Sequence, residues 1–189
     1  MIEKNKKTIL NLLTRIPRKG MTKLLNYLET SDYFTAPAST KYHLCCDGGL
    51  AQHSLNVARL FDKKCKDFKI NISNDSIILC SLLHDFCKIN FYKKNKKWVK
   101  EKGSWNEEEV WDFEETQPLG HGAKSVILLQ NFIKLTLQEQ TLIRWHMGFF
   151  ELGQDEKKYY FSALKQFPET ILLHTADWEA TILLENKNI

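Results

Sequence analysis

The sequence of 189 residues has no long hydrophobic run and no paired cysteine motif. No stretch approaches the roughly 18 apolar residues of a membrane-spanning helix, and residues 1–7 lack the apolar segment of a signal peptide. The five cysteines are odd in number and include no Cys-x-x-Cys pair, which argues against a disulfide framework and against a zinc knuckle. We therefore expect a cytoplasmic protein with reduced thiols and no membrane partner.

Charge of neither sign dominates, because the net charge is only +4. That surplus is too small to indicate a nucleic-acid-binding protein. A lysine cluster is followed at once by an acidic cluster, as in a solvated hairpin or loop; a phosphate-attracting rim near an active site is the alternative. The basic cluster is Lys93, Lys94, Lys96, Lys97, Lys100 and Lys102, and the acidic cluster is Glu107, Glu108, Glu109, Asp112, Glu114 and Glu115.

Apolar residues make up 43% of the chain, enough for one core without disulfides or metal staples. Their spacing predicts an all-α helical bundle in a single domain, residues 1–189. Two N-terminal helices within residues 1–30 are expected to cover a core that spans residues 42–186. Asp47-Gly48-Gly49 marks the turn into a third helix, and the acid Glu139 with Thr136 forms a capping box that starts a later one.

The pattern changes around residues 91–115, where aromatic residues mix with charges and Gly103 supplies a turn. This composition predicts a small β-hairpin inserted into the helical body. Its three tryptophans, Trp98, Trp105 and Trp111, either form a small satellite core or offer a surface on which a flat ligand stacks.

The doublet His84-Asp85 follows the apolar stretch Ile77–Leu83 and precedes Lys88 by three residues. Burying ionisable side chains is costly unless they have partners, and a metal ion satisfies both members of the doublet.

Four further residues are candidate ligands in separate segments. His53 lies at the edge of an apolar helical stripe, His121 stands between two glycines, His146 lies near a helix end, and Asp177 interrupts an apolar run. Each alone has a structural explanation, but together they favour a metal site. Two other histidines fit the pattern less well: His174 is expected to be structural or to support a ligand, and His43 to lie at the surface or at a pocket rim.

Histidine and carboxylate donors without cysteine are typical of catalytic sites for iron, manganese, zinc or a similar ion. With the order of these residues, the chain resembles the HD-domain metal-dependent phosphohydrolase superfamily over residues 42–186. The signature of that superfamily is a histidine, a His-Asp doublet and a distant aspartate on a helical bundle. The matching motifs here are Gly48-Gly49-Leu50-Ala51-Gln52-His53-Ser54, Leu82-Leu83-His84-Asp85-Phe86-Cys87-Lys88 and Thr175-Ala176-Asp177.

The resemblance implies an HD-domain helical bundle that holds two divalent transition metal ions. One ion would be bound by His53, His84, Asp85 and Asp177. Members with a second ion have two extra histidines between the doublet and the last aspartate, and His121 and His146 occupy those places. On this reading Asp85 bridges the two ions.

The same resemblance implies an enzyme that cleaves a phosphate ester of a nucleotide or short oligonucleotide by metal-activated water. Asp85 and Lys88 are then the catalytic candidates, and Lys88, Arg144 and Trp145 the candidates for substrate binding. Lys88, three residues after Asp85, would contact a phosphate oxygen, with a surface salt bridge as the alternative. The Gly48-Gly49-Leu50 context most resembles the HD domain of bacterial 3′-to-5′ exoribonucleases. Those enzymes carry a separate oligonucleotide-binding domain, for which this chain has no room, so processing of long RNA is not expected.

Two other functions fit the sequence. One is hydrolysis of small nucleotides, whether monophosphates, triphosphates or signalling dinucleotides. The other is a non-catalytic module that binds metal or nucleotide in a regulatory role, although a degenerate domain would be expected to have lost at least one of the six ligands. The partner in either case is a phosphorylated small molecule or short nucleic acid, and a homo-oligomer is possible.

Overall fold

The computed structural model describes residues 1–101, 103–149 and 152–185. Within these ranges the protein is mostly helical with one β-hairpin, as predicted. None of the helices found there is both long enough and apolar enough to cross a membrane. The elements are α1 (Ile2–Thr14), α2 (Met21–Thr30), α3 (Gly49–Asp67), α4 (Asn74–Leu83), β1 (Tyr92–Glu101), β2 (Ser104–Phe113), α5 (His121–Leu129), α6 (Leu137–Arg144), α7 (Gln154–Gln166) and α8 (Thr170–Glu179).

Helix α3 is the central packing element, because it lies against α1, α4 and α8. Leu50, Val57 and Phe61 on its inner face are fully buried, and Ile9 and Leu24 from the N-terminal helices belong to the same hydrophobic cluster. Burying each such side chain contributes about 1.5–3 kcal/mol. The N-terminal helices therefore supply part of the core as well as covering it. The last residues of the predicted domain, 186–189, lie outside the described residues.

Helix α7 is an element for which the sequence analysis made no prediction. Tyr160 is its one buried residue, so the helix lies on the surface and shows no wide apolar stripe. A helix with so narrow a buried face leaves little periodic signal in the sequence. Beyond α8 the chain continues through π-helical turns from Ala180 to Glu185, which carry Glu185 back toward α3.

The predicted hairpin is present, with strand ends at Tyr92 and Phe113. The basic strand β1 pairs antiparallel with the acidic strand β2, so that lysines and acids face each other across the ribbon. Lys96 Nζ lies 2.8 Å from Glu107 Oε2, for example. These contacts favour the solvated hairpin over a free cationic rim. Lys102, a member of the predicted basic cluster, lies outside the described residues.

The aromatic residues of the hairpin divide between its base and its tip. At the base, Phe91 stacks on Phe113 with 5.0 Å between ring centroids, and Tyr92 packs edge-on against Phe113. Toward the tip, Trp98 and Trp105 are 66% and 62% exposed. The satellite core is therefore limited to the base of the hairpin.

A buried ion pair ties the N-terminal segment to the bundle. Glu139 is fully buried on α6, and Arg18 donates to its two carboxylate oxygens at 2.7 and 2.8 Å. Ser76 Oγ also donates to this carboxylate, and the Thr136 backbone N–H donates to it as part of the predicted capping box. Burial works to raise the pKa of Glu139, but these hydrogen bonds outweigh burial and hold its pKa below the ordinary value.

Candidate metal centre

The doublet lies where a buried helix breaks. Helix α4 ends at Leu83, His84 keeps helical angles, and Asp85 leaves them with φ −96° and ψ 27° before a short 3₁₀ turn begins at Phe86. Consecutive residues of an intact helix point about 100° apart, whereas this break lets both side chains reach one interior space. His84 and Asp85 are 0% and 4% exposed.

The structure brings all six predicted ligands together, from three helices (α3, α5 and α8) and the ends of two others (α4 and α6). His53 Nε2 on α3 lies 3.1 Å from Asp177 Oδ1 on α8 and 3.9 Å from Asp85 Oδ2. His121 at the start of α5 lies 2.8 Å from Asp85 Oδ1, and His146, two residues beyond α6, lies 3.5 Å from the same atom. Residues more than 120 positions apart thus form one buried cluster.

The two oxygens of Asp85 face different histidines. Oδ2 is the nearer oxygen for His84, at 3.4 Å, and for His53. Oδ1 is the nearer oxygen for His121 and His146. Asp85 therefore lies between two sets of imidazoles, and each set has its own carboxylate oxygen.

His84 and His146 each have one ring nitrogen, Nε2, that could coordinate a metal ion and has no hydrogen-bond partner in the described part of the chain. The Nδ1 atoms donate to backbone carbonyls, that of His84 to Ser81 at 2.9 Å and that of His146 to Ile143 at 2.7 Å. Both Nε2 atoms are buried, and neither has a hydrogen-bond partner within the described part of the chain. An unpaired buried polar group costs about 1–3 kcal/mol. A divalent ion would relieve that cost, so these residues fit a metal.

Glu185 contacts the ring nitrogen of His53 that faces away from Asp177. His53 Nδ1 donates to Glu185 Oε2 at 3.0 Å, and Asn56 Nδ2 donates to Oε1 of the same carboxylate at 2.8 Å. A carboxylate on the far nitrogen fixes the tautomer and orientation of a ligand histidine. Glu185 was not among the predicted site residues, although its position directly after the apolar stretch Ile182–Leu184 was a usable signal.

His43 lies at the rim of the cluster, in agreement with one of the two positions expected for it. Its side chain is 12% exposed, and its ring centroid is 4.8 Å from that of His53. Burial, and then the charge of His53, lowers the pKa of His43 to about 4. The residue is therefore neutral near pH 7.

Lys88 is buried, so the surface salt bridge considered for it is not what the structure has. Its Nζ lies 2.7 Å from Asp85 Oδ2 and donates to the Ala38 carbonyl at 2.8 Å. Ala38 belongs to the loop between α2 and α3, which thereby reaches the site. Burial works to lower the pKa of Lys88, but Asp85 outweighs it and raises that pKa, so the ammonium stays charged.

Opposite charges compensate one another within the cluster. Burial works against a charged His53, but hydrogen bonds with Asp177 and Glu185 raise its pKa to about 9. Burial opposes the charging of His121 as well, and Asp85 raises that pKa to about 9. The pKa of Asp85 lies well below its ordinary value despite burial, chiefly because of Lys88 and His84. A cation that binds here must displace protons from the imidazoles.

Two glycines allow the close approaches that assemble the site. A Cβ on Gly122 would overlap the Arg144 carbonyl, with 2.7 Å to its carbon, so α5 and the end of α6 meet backbone to backbone. A Cβ on Gly148 would lie 2.5 Å from the His174 ring. His174 Nδ1 in turn donates to the His146 carbonyl at 2.7 Å. His174 therefore supports a candidate ligand, as expected.

Arg144 and Trp145, the predicted substrate-binding residues, lie beside the cluster. Arg144 lines a cleft that also contains His121, and its guanidinium contacts Glu156 at 3.0 Å. Trp145 is 9% exposed and packs edge-on against Tyr160, while the Arg144 guanidinium lies 4.1 Å from the Trp145 ring centroid. Contact of either residue with substrate stays a prediction.

Cys87 is a donor that the sequence analysis did not include. Its thiol groups with Asp85 and His121 as a set of possible ligand atoms within 4.8 Å of one another. The absence of a Cys-x-x-Cys pair had indicated reduced thiols, and no cysteine was predicted to bind the metal. Other such sets combine His53, His84 and Asp85, and His84, His146 and Asp177.

Comparison with known protein families gives one match that covers most of the chain. The sequence-family model of the HD domain matches residues 50–182, a range that contains His53, the doublet, His121, His146 and Asp177. Comparison with curated proteins found no match, and neither did comparison with solved structures. The family is generally one of metal-dependent hydrolases. The matched range is well over half of the 189 residues, and with the histidine and aspartate cluster described above it shows that the chain belongs to the HD domain family.

Proposed function

We propose that the protein is a metal-dependent phosphohydrolase that cleaves a phosphate ester of a nucleotide or short oligonucleotide with two divalent ions. The observation that carries this proposal is the position of Asp85, whose two oxygens face separate sets of imidazoles. A carboxylate so placed is suited to bridge two cations. When bound, such ions supply an activated water and neutralise phosphoryl oxygens.

The distances support the two ligand sets that the family resemblance implies. His53, His84, Asp85 and Asp177 would hold one ion, because Asp85 Oδ2 and Asp177 Oδ1 lie nearest to these imidazoles. Asp85 Oδ1, His121 and His146 would hold the other. The side chain of His121 is 35% exposed and is the most open of these ligands, so substrate would approach from its side.

Lys88 is suited to hold a phosphate oxygen of the substrate. An ammonium has three donor protons, and contacts with Asp85 and the Ala38 carbonyl use two of them. The third would be directed to the substrate. Because Lys88 also contacts Asp85, its loss should affect both the position of that carboxylate and the binding of phosphate.

The first test compares two isosteric substitutions. Asp85→Asn should abolish hydrolysis of bis-p-nitrophenyl phosphate and reduce the metal content, because the amide cannot bridge two cations. Asp155→Asn is the matched control, since its side chain is 84% exposed and contacts only the surface residue Lys158 in the described chain. Equal activity in both variants would contradict the proposal. So would a wild-type protein that retains no transition metal after metal-replete expression and dialysis.

The substrate class needs a second test. The metal-loaded protein would be assayed against nucleoside monophosphates and triphosphates, signalling dinucleotides and short RNA or DNA. Turnover of short substrates without turnover of long RNA is the expected result. Binding of nucleotide without any turnover would favour the regulatory module instead.

A further inference from the structure

A cleft of about 460 Å³ opens beside the metal centre. His121 forms the boundary between the cleft and the cluster of ligands. Pockets for small molecules commonly measure roughly 300–1,000 Å³. The cleft is therefore large enough for one organic group attached to a phosphate at the ions. Its side-chain walls include Arg144, Met147, Leu152, Glu156 and Trp178.

We propose that this cleft binds the base of a nucleotide whose phosphate lies at the metal centre. The inference rests on the proposed function and names the part of the protein that would select the substrate. A base is flat and apolar on its faces and carries hydrogen-bonding groups on its edge. The cleft offers an apolar wall that could contact the face of a base, and a pair of charged side chains that could bind its edge.

The apolar wall is formed by Trp178 and Met147, with Leu152 beside them. Trp178 is 52% exposed and Met147 is 50% exposed, so both present apolar surface to the cleft. Trp178 directly follows Asp177, so a metal ligand and the stacking surface are held by the same turn of α8. Bases stack on aromatic rings with little dependence on their sequence.

The polar part is the Arg144–Glu156 pair. The guanidinium stacks on Trp145 and contacts Glu156 at 3.0 Å, so two side chains hold it in place. Guanidinium donors suit the carbonyl and ring-nitrogen acceptors of a base, and a carboxylate accepts from an exocyclic amine. Gly120 adds no side chain to the cleft, and a Cβ there would have no neighbour within 4 Å among the described residues.

The test measures binding separately from turnover. The metal-loaded protein is titrated with a nucleoside 5′-monophosphate and with ribose 5-phosphate, which carries the same phosphate without a base; each is used as its phosphonate analogue, whose C–P bond is not hydrolysed. Affinity is followed by calorimetry. Wild type should bind the nucleotide at least about tenfold more tightly, as stacking of one base predicts. Trp178→Leu should lower the affinity for the nucleotide by about 10- to 100-fold relative to wild type. Its affinity for ribose 5-phosphate should stay within about twofold of the wild-type affinity.

Trp98→Leu is the matched control, because Trp98 is also exposed but stands on the hairpin. It should leave both affinities unchanged. Equal binding of the two ligands by wild type would overturn the inference, as would an unchanged nucleotide affinity in Trp178→Leu. A similar loss of affinity for both ligands, together with a loss of bound metal, would also overturn the inference. Trp178 would then act on the metal centre through His174, whose ring centroid is 5.7 Å from that of Trp178.

The proposed function fails by a different result. If the protein binds nucleotide with the predicted preference and hydrolyses no phosphate ester, the base site stands and the hydrolase does not. If it hydrolyses phosphate esters without any preference for a base, the hydrolase stands and the base site does not.

Discussion

Replacing Gly122 by alanine tests how closely α5 must approach the end of α6 for His121 and His146 to share a carboxylate. The new Cβ would lie 2.7 Å from the Arg144 carbonyl carbon and 2.7 Å from the Ile143 carbonyl oxygen, whereas ordinary contacts begin at 3.4 Å. Both neighbours are backbone atoms of a helix, so neither can rotate away. The two elements must separate.

The expected cost follows from the overpacking. Extra atoms forced into a packed interior cost about 1–3 kcal/mol, and contacts this short with backbone atoms place Gly122→Ala near the upper end, about 3 kcal/mol. Part of this cost is offset, because alanine stabilises a helix by up to about 1 kcal/mol relative to glycine. We therefore expect a net loss of about 2 kcal/mol, which in a chain of this size lowers the melting temperature by roughly 4–8 °C. The metal content should fall as well, since His121 moves away from Asp85.

Gly153→Ala is the control for this substitution. Gly153 has φ −64°, which alanine adopts readily, and a Cβ there would have no neighbour within 4 Å in the described chain. Thermal unfolding and metal analysis of the two variants should differ clearly, with Gly153→Ala within about 2 °C of wild type. If Gly122→Ala melts and binds metal as Gly153→Ala does, the close approach of the two helices does not position the histidines.

Three further predictions concern other parts of the molecule. The folded-state pKa of Glu139 lies below the ordinary glutamate pKa of 4.5, so its contribution to stability is complete above pH 4.5 and is lost as the pH falls from there through the folded-state pKa. In urea unfolding, Glu139→Gln should therefore lose less stability than wild type between pH 7 and pH 3.5. Glu185→Gln should weaken metal binding by about 10- to 100-fold, measured by competition with a chelator, because Glu185 orients His53. Trp98→Ser and Trp105→Ser should each leave the melting temperature within about 2 °C of wild type, because both rings are mostly exposed.

Each of these has an outcome that would count against it. Parallel pH profiles for wild type and Glu139→Gln would show that this carboxylate does not titrate across the acid range. Unchanged metal affinity in Glu185→Gln would leave the orientation of His53 to other contacts. A large loss of stability in either tryptophan variant would mean that the hairpin tip is packed in solution.

The sequence by itself determined the helical class, the hairpin and the six candidate ligands. Helical periodicity is a local property, and a buried His-Asp doublet at the end of an apolar run is visible without coordinates. The capping box at Thr136 and Glu139 and the turn at Gly48 were readable for the same reason, since a cap involves only neighbouring residues.

Only the tertiary structure decided which partners these residues have. Lys88 pairs with Asp85, Glu185 supports His53, and Arg18 is joined to Glu139 across 121 positions of the chain. Such contacts depend on how helices pack, and no local pattern encodes them. The division of the two Asp85 oxygens between different imidazoles likewise exists only once α3, α5, α6 and α8 have met around the end of α4.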